Sequence, residues 1–369
     1  AWRTIECGIR MTGTWPEAFH RFLPSKSFKD ADIALYVKSC IEHARHLRKH
    51  HTTGGNWETM EMAGLYTVGA VFPELTEAPA WRAYAIEKLS EQLAQQFLPD
   101  GAQVELTSGY HNVALMNILH VPSLAKVVGK SDELPADYVA HTQRAFEYDL
   151  YMMTPDRGLP KLNDSWQWSA ADLLRRGAEL FPKREDFVWV ASGGRKGSPP
   201  AGASRKFEYA GYCVMRSSWR RDANYLIFDA GPLGLSHFHQ DKLNVALWAF
   251  GREVLYDDGG GHYERSKWRA YARDTFAHNT VLVDGKPQRR GRNERVSREP
   301  ADVRWESTPA YDFAAGAYEG GYGDESHRPA RHVRRVLAEV GAEELRTDEH
   351  SAYKGLVPED GHRLCLTHW

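Results

Sequence analysis

Residues 191–205 read ASGGRKGSPPAGASR, a Gly-, Ser- and Pro-rich stretch without a hydrophobic period, and the sequence differs in kind on its two sides. Upstream, apolar residues recur at helical spacing with almost no alternating runs. The spacing predicts helices over Asp30–Arg48, Trp57–Val71, Ala80–Phe97, Tyr110–Val128, Ala136–Met153 and Trp168–Leu180, broken by Pro73, Pro99-Asp100-Gly101 and Pro160. Downstream come short β-rich runs: FEYAGYCVMRS from Phe207, NYLIFDAG from Asn224, VALWAF from Val245, REVLYDD from Arg252, NTVLVDG from Asn279, YDFAAGAYE from Tyr311 and HVRRVLAEV from His332. Gly, Asn and Asp separate them, as in antiparallel sheets.

This order predicts an α+β protein of two domains, with residues 1–190 helical, 191–206 a linker and 207–369 antiparallel β structure, and a ligand cleft between them. Helices arranged in hairpins suit part of an α/α toroid. A complete toroid needs more of them, and the β signal does not fade before His368-Trp369, so a chain cut at both ends is expected.

Composition narrows the function. The 369 residues carry 42% hydrophobic side chains and a net charge of −2, which supports sizeable cores and gives no overall field for nucleic acid or an acidic membrane. No run reaches the roughly 18 to 20 apolar residues of a membrane-spanning helix, and the start AWRTIECGIR lacks a signal-peptide pattern. Cys7, Cys40, Cys213 and Cys365 lie far apart without a CxxC pair, so neither a disulfide framework nor a thiolate zinc site is indicated. Twelve Trp and 17 Tyr suit large cores and sugar stacking alike. Oligomeric state is not legible.

The densest polar cluster is Gly234-Leu-Ser-His237-Phe-His239-Gln-Asp241, between two predicted strands. Alternate residues of an extended segment share a side, so His237, His239 and Asp241 can converge on one ion; the plainer reading is a loop of exposed histidines. Asp257-Asp258 before three glycines, with Tyr263 beyond, and Ala277-His278-Asn279 add candidate ligands at strand edges. Two imidazoles with a carboxylate suit Zn²⁺ better than Ca²⁺ or Mg²⁺. In the helical half, Gly54-Gly55-Asn56-Trp57-Glu58 and Ser108-Gly109-Tyr110-His111-Asn112 stand at predicted helix starts. Asn56 can serve there as an N-cap, and Tyr110 and His111 as a helix-entry aromatic and a surface imidazole. The basic run Lys286-Pro-Gln-Arg289-Arg290-Gly-Arg292 reads as a solvated loop or as a grip on carboxylates and sulfates.

Taken in series, GNWETMEMAGL, DGAQVELTSGYHN, GLSHFHQDKLN, VLYDDGGGHY and AHNTVLVDG resemble, in order and approximate spacing, the heparinase II/III-type polysaccharide lyases, heparinase III most of all. Each motif alone is weak, but five together, from Thr53 to Gly285, are fairly specific. The resemblance implies an incomplete α/α toroid followed by an antiparallel β-sandwich, and β-elimination on a uronic-acid-containing glycan, heparan sulfate-like or alginate-like. It implies Tyr110, His237 and Asn56 as catalytic residues, Asn56 neutralising the substrate carboxylate. It also implies a structural Zn²⁺ on His239, Asp257 and His278, Tyr263 lining the cleft, and a periplasmic or secreted bacterial setting; His111, Trp57, Arg289 and Arg290 are further candidate substrate contacts.

Two other functions compete. NYLIFDAG followed by HFHQD resembles the strand and HxHxDH loop of metallo-β-lactamase-type zinc hydrolases, but Lys242 stands where the last histidine belongs, and the helical first half disagrees with that fold. A glycan-binding relative without catalysis needs no acid/base tyrosine, so Tyr110 speaks against it.

Overall fold

Strand β2 (Tyr212–Arg216) and strand β3 (Tyr225–Asp229) are buried along their whole length, YCVMR against YLIFD, because the sheet they form is covered on both faces. Cys213, Met215, Leu226 and Phe228 turn into an apolar core. On the opposite face Tyr212 donates from its hydroxyl to Leu106 O at 2.6 Å, Tyr225 to Met152 O at 2.9 Å, and Arg216 Nη2 to Tyr151 O and Met153 O at 2.8 and 2.7 Å. Continuous burial replaces the usual alternation for this reason.

The computed structural model describes residues 2–260, 263–289, 299–324 and 330–339, and the backbone of Leu364–His368. Two antiparallel sheets follow the helices. One is five-stranded, in the order β1 (Arg205–Lys206), β2, β3, β4 (Asn244–Ala249), β5 (Arg252–Leu255); the other is four-stranded, in the order β6 (Arg304–Ser307), β7 (Tyr311–Tyr318), β8 (His332–Glu339), β9 (Leu364–His368). Ala314, Tyr318, Tyr322 and Val336 of the second sheet region share the core with the first. NTVLVDG, read as a strand, is not one: Asn279 N–H donates to Asn244 Oδ1 at 2.9 Å and Thr280 Oγ1 to Lys242 O at 2.7 Å, so side-chain hydrogen bonds take the place of a ladder.

The helices are α1 (Thr4–Thr12), α2 (Thr14–Phe22), α3 (Asp30–His50), α4 (Gly55–Val71), α5 (Ala78–Gln96), α6 (Ser108–Val127), α7 (Ala136–Met152), α8 (Ala170–Leu180), α9 (Glu185–Ala191) and α10 (Lys267–Ala272). Six correspond to the periodic runs; α1, α2, α9 and α10 are additional. Among the described residues no helix is long and apolar enough to cross a membrane. Cys7, Cys40 and Cys213 are buried free thiols.

The chain forms two compact units, one of residues up to Phe97 together with Asn112–Ala145, the other of Leu98–His111 with everything from Phe146 onward. The division does not run through residues 191–206. Asp100 explains part of this, since its half-buried carboxylate accepts from the N–H groups of Tyr209 and Ala210 at 2.7 and 2.9 Å and anchors the Leu98–His111 segment to the sheets. In the first unit, α1 and α4 cross where Gly8 meets Gly64; a Cβ on Gly64 would lie 2.7 Å from Gly8 O. The GGNWE corner is fixed by Glu58, which accepts from Gly54 N–H at 2.7 Å and Gln92 Nε2 at 2.6 Å, while Gly54 and Gly55 take the positive φ values of 82° and 75° that favour glycine.

Candidate active site

Tyr110 sits in the first turn of α6, where Thr107 Oγ1 accepts its backbone N–H at 3.0 Å. Gly109 beside it has no room for a side chain: a Cβ would meet the Trp166 ring at 3.0 Å and Asp164 O at 3.2 Å. The segment Asn163-Asp164-Ser165-Trp166 therefore lies directly against the helix start.

The long connection from β3 to β4 brings the histidines to the same place. Leu235 N–H donates to Val104 O at 2.9 Å, and Gly234 passes so close to Glu105 that a Cβ would stand 2.4 Å from its carbonyl. His237 follows with φ 59°, a left-handed conformation uncommon outside glycine. Its ring stacks on that of Tyr110, centroids 3.8 Å apart and planes inclined 15°.

Three hydroxyl and nitrogen atoms then form a chain. Tyr110 Oη lies 2.6 Å from Tyr263 Oη, which lies 3.1 Å from His237 Nδ1. The same nitrogen is 3.0 Å from Asp164 Oδ2. Burial, and after it the hydrogen bond with Tyr110, raises the pKa of Tyr263, so its hydroxyl keeps its proton and serves as a donor.

Asp164 is the hub. One oxygen faces His237, the other faces His239 Nε2 at 2.8 Å, and Arg269 grips both, with Nη2 2.5 Å from Oδ2. Burial opposes charge on this carboxylate, but hydrogen bonds from His237, His239 and Arg269 outweigh it and hold its pKa well below the usual range. Arg269 comes from α10, whose start is capped by Ser266 accepting from Arg269 N–H at 3.1 Å. A cavity of about 730 Å³ is lined by Asp164, His237 and Tyr263 with Arg265, Arg269 and Arg273, and also by the carboxylates of Glu264 and Asp274.

Behind the hub lies a buried group of metal-ligand type. Donor atoms of His239, Asp241 and His278 lie within 4.8 Å of one another. His239 Nδ1, His278 Nε2 and Asp241 Oδ2 are buried without a hydrogen-bond partner, which is costly unless something fills the space between them. Asp257 reaches the group differently from the sequence expectation: its Oδ2 accepts from His278 Nδ1 at 2.9 Å and from Asn244 Nδ2 at 2.7 Å, and its Oδ1 from Gly259 N–H at 3.1 Å. It supports His278 from the far side of the ring, and Asp241 is the carboxylate within common reach.

Residues 1–189 match the family model described as Heparinase II/III N-terminus, and residues 199–352 match Heparinase II/III-like, C-terminal. The chain belongs to the heparinase II/III family. The heparin-sulfate lyase of Bacteroides stercoris is 29% identical over 293 residues, covering 78% of this chain and 44% of that protein. The heparin-sulfate lyase of Pedobacter heparinus is 27% identical over 343 residues, covering 91% and 50%. Among solved structures, a heparinase III matches with TM-score 0.79 at 27% identity over 91% of this chain and 52% of that one. A heparan sulfate lyase HepC mutant from Pedobacter heparinus matches with TM-score 0.77 at 25% identity, over 92% and 54%. The chain spans about half the length of these relatives.

The other residues that the heparinase II/III resemblance singled out fare differently. Asn56 is in the first unit, one residue inside the helix rather than at its cap, and its Oδ1 is buried without a partner, so the amide is not used as an N-cap. Trp57 beside it is exposed. His111 does not reach a surface: it is 1% exposed, its ring tilted 34° against that of Tyr148 and 3.6 Å from Asp149. Successive residues of a helix stand about 100° apart around its axis, so His111 turns inward while Tyr110 faces the site. Arg289 holds backbone, donating from Nε to Gly323 O at 3.0 Å and from Nη2 to Asp324 O, so its guanidinium is tied into a turn. Arg290 lies outside the described residues.

Asp164 and Arg269 escaped the sequence reading. The signal present was slight: LNDSW is a short polar segment between Leu162 and Trp166 after Pro160, and Ser266 precedes a short helix carrying Arg269.

Proposed function

We propose that this chain carries the catalytic centre of a polysaccharide lyase that cleaves a uronic-acid-containing glycan of the heparan sulfate type by β-elimination, leaving a 4,5-unsaturated uronate. The observation that carries this reading is the Tyr110–Tyr263–His237–Asp164 chain, a phenol stacked on an imidazole whose other contacts are fixed by a buried carboxylate. The names of the relatives point to the same substrate class. The toroid and sandwich arrangement of the family is the architecture we infer for the helical and sheet parts.

The reaction breaks the C5–H and C4–O bonds of the uronate. Tyr110 acts as the phenolate, its own proton having passed through the Tyr263 hydroxyl to His237 Nδ1; it takes the C5 proton, the C5–H electron pair forms the C4–C5 double bond, and the departing O4 is protonated by the tyrosine so formed or by His237, according to which face of the sugar it leaves. His237 is held for this by Asp164. Asn56 is assigned to the substrate carboxylate, whose negative charge must be met by hydrogen-bond donors before carbanion character can develop at C5. The cavity is lined by Arg265, Arg269 and Arg273 and also by Asp164, Glu264 and Asp274, and Arg265 and Arg273 are the cations we assign to an acidic chain.

The buried group fits Zn²⁺, with His239 and His278 as nitrogen ligands and a carboxylate from Asp257, as the resemblance implies, or from Asp241, as the unpartnered atoms favour. When bound, the ion supplies charge that fixes the loop beneath His237. Metal analysis of the purified protein should give one zinc per chain, and chelation should lower the melting temperature by roughly 2–4 °C per kcal/mol lost as well as activity. Asp241→Asn and Asp257→Asn, compared for zinc content, identify the carboxylate; retention of full stability without any metal counts against the site.

A panel of heparan sulfate, heparin, hyaluronan, chondroitin, alginate and gellan, followed by the ultraviolet absorbance of unsaturated uronate, tests the substrate class. Heparan sulfate should be cleaved fastest. Preference for alginate or gellan would overturn the assignment to a glycosaminoglycan.

A further inference from the structure

The stretch that separates helical from β-rich sequence begins as an ordered hook. Ser192 N–H donates to Val188 O at 2.9 Å, Gly193 N–H to Val190 O at 3.0 Å and Gly194 N–H to Trp189 O at 2.8 Å, and Ser192 Oγ accepts from Lys196 N–H at 2.9 Å. Gly193 and Gly194, with φ of 66° and 85°, let the chain fold back over the end of α9. The hook brings Arg195 to a cavity of about 280 Å³ that Arg157, Arg221, Ser192 and Gly193 also line.

Among the described residues no carboxylate lines this cavity. The acidic residues close by in sequence are engaged elsewhere: Asp156 with Thr154 and Gly158, Asp172 with Arg175, Asp186 with Arg184, Asp222 with Arg220. Arg157 is half-buried at a φ of 73°, a left-handed conformation that disfavours a long side chain. Its guanidinium has long contacts to Met153 Sδ at 3.7 Å and Trp219 O at 3.5 Å and lies over the Trp189 ring at 5.1 Å. Burial first, and the charge of Arg221 second, lower its pKa. Folding thus gathers like charges into one cleft, an arrangement that an anion relieves.

We propose that this cavity is a binding site for a tetrahedral oxyanion, filled by a sulfate group on the glycan chain. Guanidinium forks match sulfate oxygens, and the three arginines that line the cavity supply them without competition from an acid among its described lining residues. The oxyanion chemistry stands on the cavity alone. Its assignment to a glycan sulfate rests on the lyase reading.

The test compares the whole chain with an Arg195→Gln/Arg221→Gln double variant, whose exposed side chains are dispensable for folding. Both carry Tyr110→Phe so that the ligand is not consumed. The probes are a sulfated heparan oligosaccharide, an unsulfated oligosaccharide of equal length, and inorganic sulfate, each titrated calorimetrically. The double variant should lose about tenfold or more in affinity for the sulfated chain and nothing for the unsulfated one, and inorganic sulfate should compete at this site only in the chain that retains the arginines. Loss of inorganic sulfate binding with undiminished affinity for the sulfated chain would keep the oxyanion site and overturn its glycan assignment. Unchanged binding of both, or an equal loss in an Arg21→Gln/Arg45→Gln control, would overturn the site. None of these outcomes depends on whether unsaturated product forms.

Discussion

Tyr110→Phe should lower turnover by roughly 10² to 10⁴-fold, the usual contribution of a general acid or base, while leaving the fold intact. The substitution removes a single oxygen, whose described hydrogen bond is the 2.6 Å contact with Tyr263 Oη, and keeps the ring that stacks on His237 and meets Trp166 edge-on. Loss of that oxygen removes the group placed to accept the C5 proton, so kcat and kcat/KM should fall together. Initial rates on heparan sulfate, with a circular dichroism spectrum as a control for folding, make the measurement. Turnover near the parent rate would sink the assignment of Tyr110.

Asp164 should show the largest combined effect on stability and rate. Its two oxygens meet His237, His239 and both terminal nitrogens of Arg269 in a buried position. Asp164→Ala leaves a largely buried guanidinium and two imidazoles without their common acceptor, a change that typically destabilises by about 3–5 kcal/mol. Asp164→Asn keeps the shape and isolates the orientation of His237; it should lower kcat about 10- to 100-fold with little change in KM. Chemical denaturation of the first variant and steady-state kinetics of the second check this. A fully stable Ala variant, or an Asn variant with parental kcat, would show that the hub does not position the histidine.

Where the chain's local period was long and regular, sequence alone located the elements. The helix read from Asp30 to Arg48 runs to His50, and the one read from Ala136 to Met153 ends at Met152. Local reading failed where side chains replace backbone pairing, as at Asn279-Thr280, and where a short element gains its support from distant residues, as in α10. Position 191–205 was legible as a break in composition but not as a hook, because the closing bonds run to α9 carbonyls. In the site, Tyr110 and His237 were legible because they stand in two of the motifs, DGAQVELTSGYHN and GLSHFHQDKLN, that carry the family resemblance. Asp164 was not, since nothing in LNDSW announces that its partners lie 73, 75 and 105 residues away. His111 was misplaced because its neighbour Tyr110 occupies the outward side of the same turn.

The central claim is elimination rather than hydrolysis. Heparan sulfate should be incubated with the chain while new reducing ends and the ultraviolet absorbance of unsaturated uronate are measured in the same samples. The two should rise in equal molar amounts from the first time point, and both should nearly vanish in Tyr110→Phe. New reducing ends without the chromophore would mean that water, not an internal proton transfer, breaks the chain, and would contradict it.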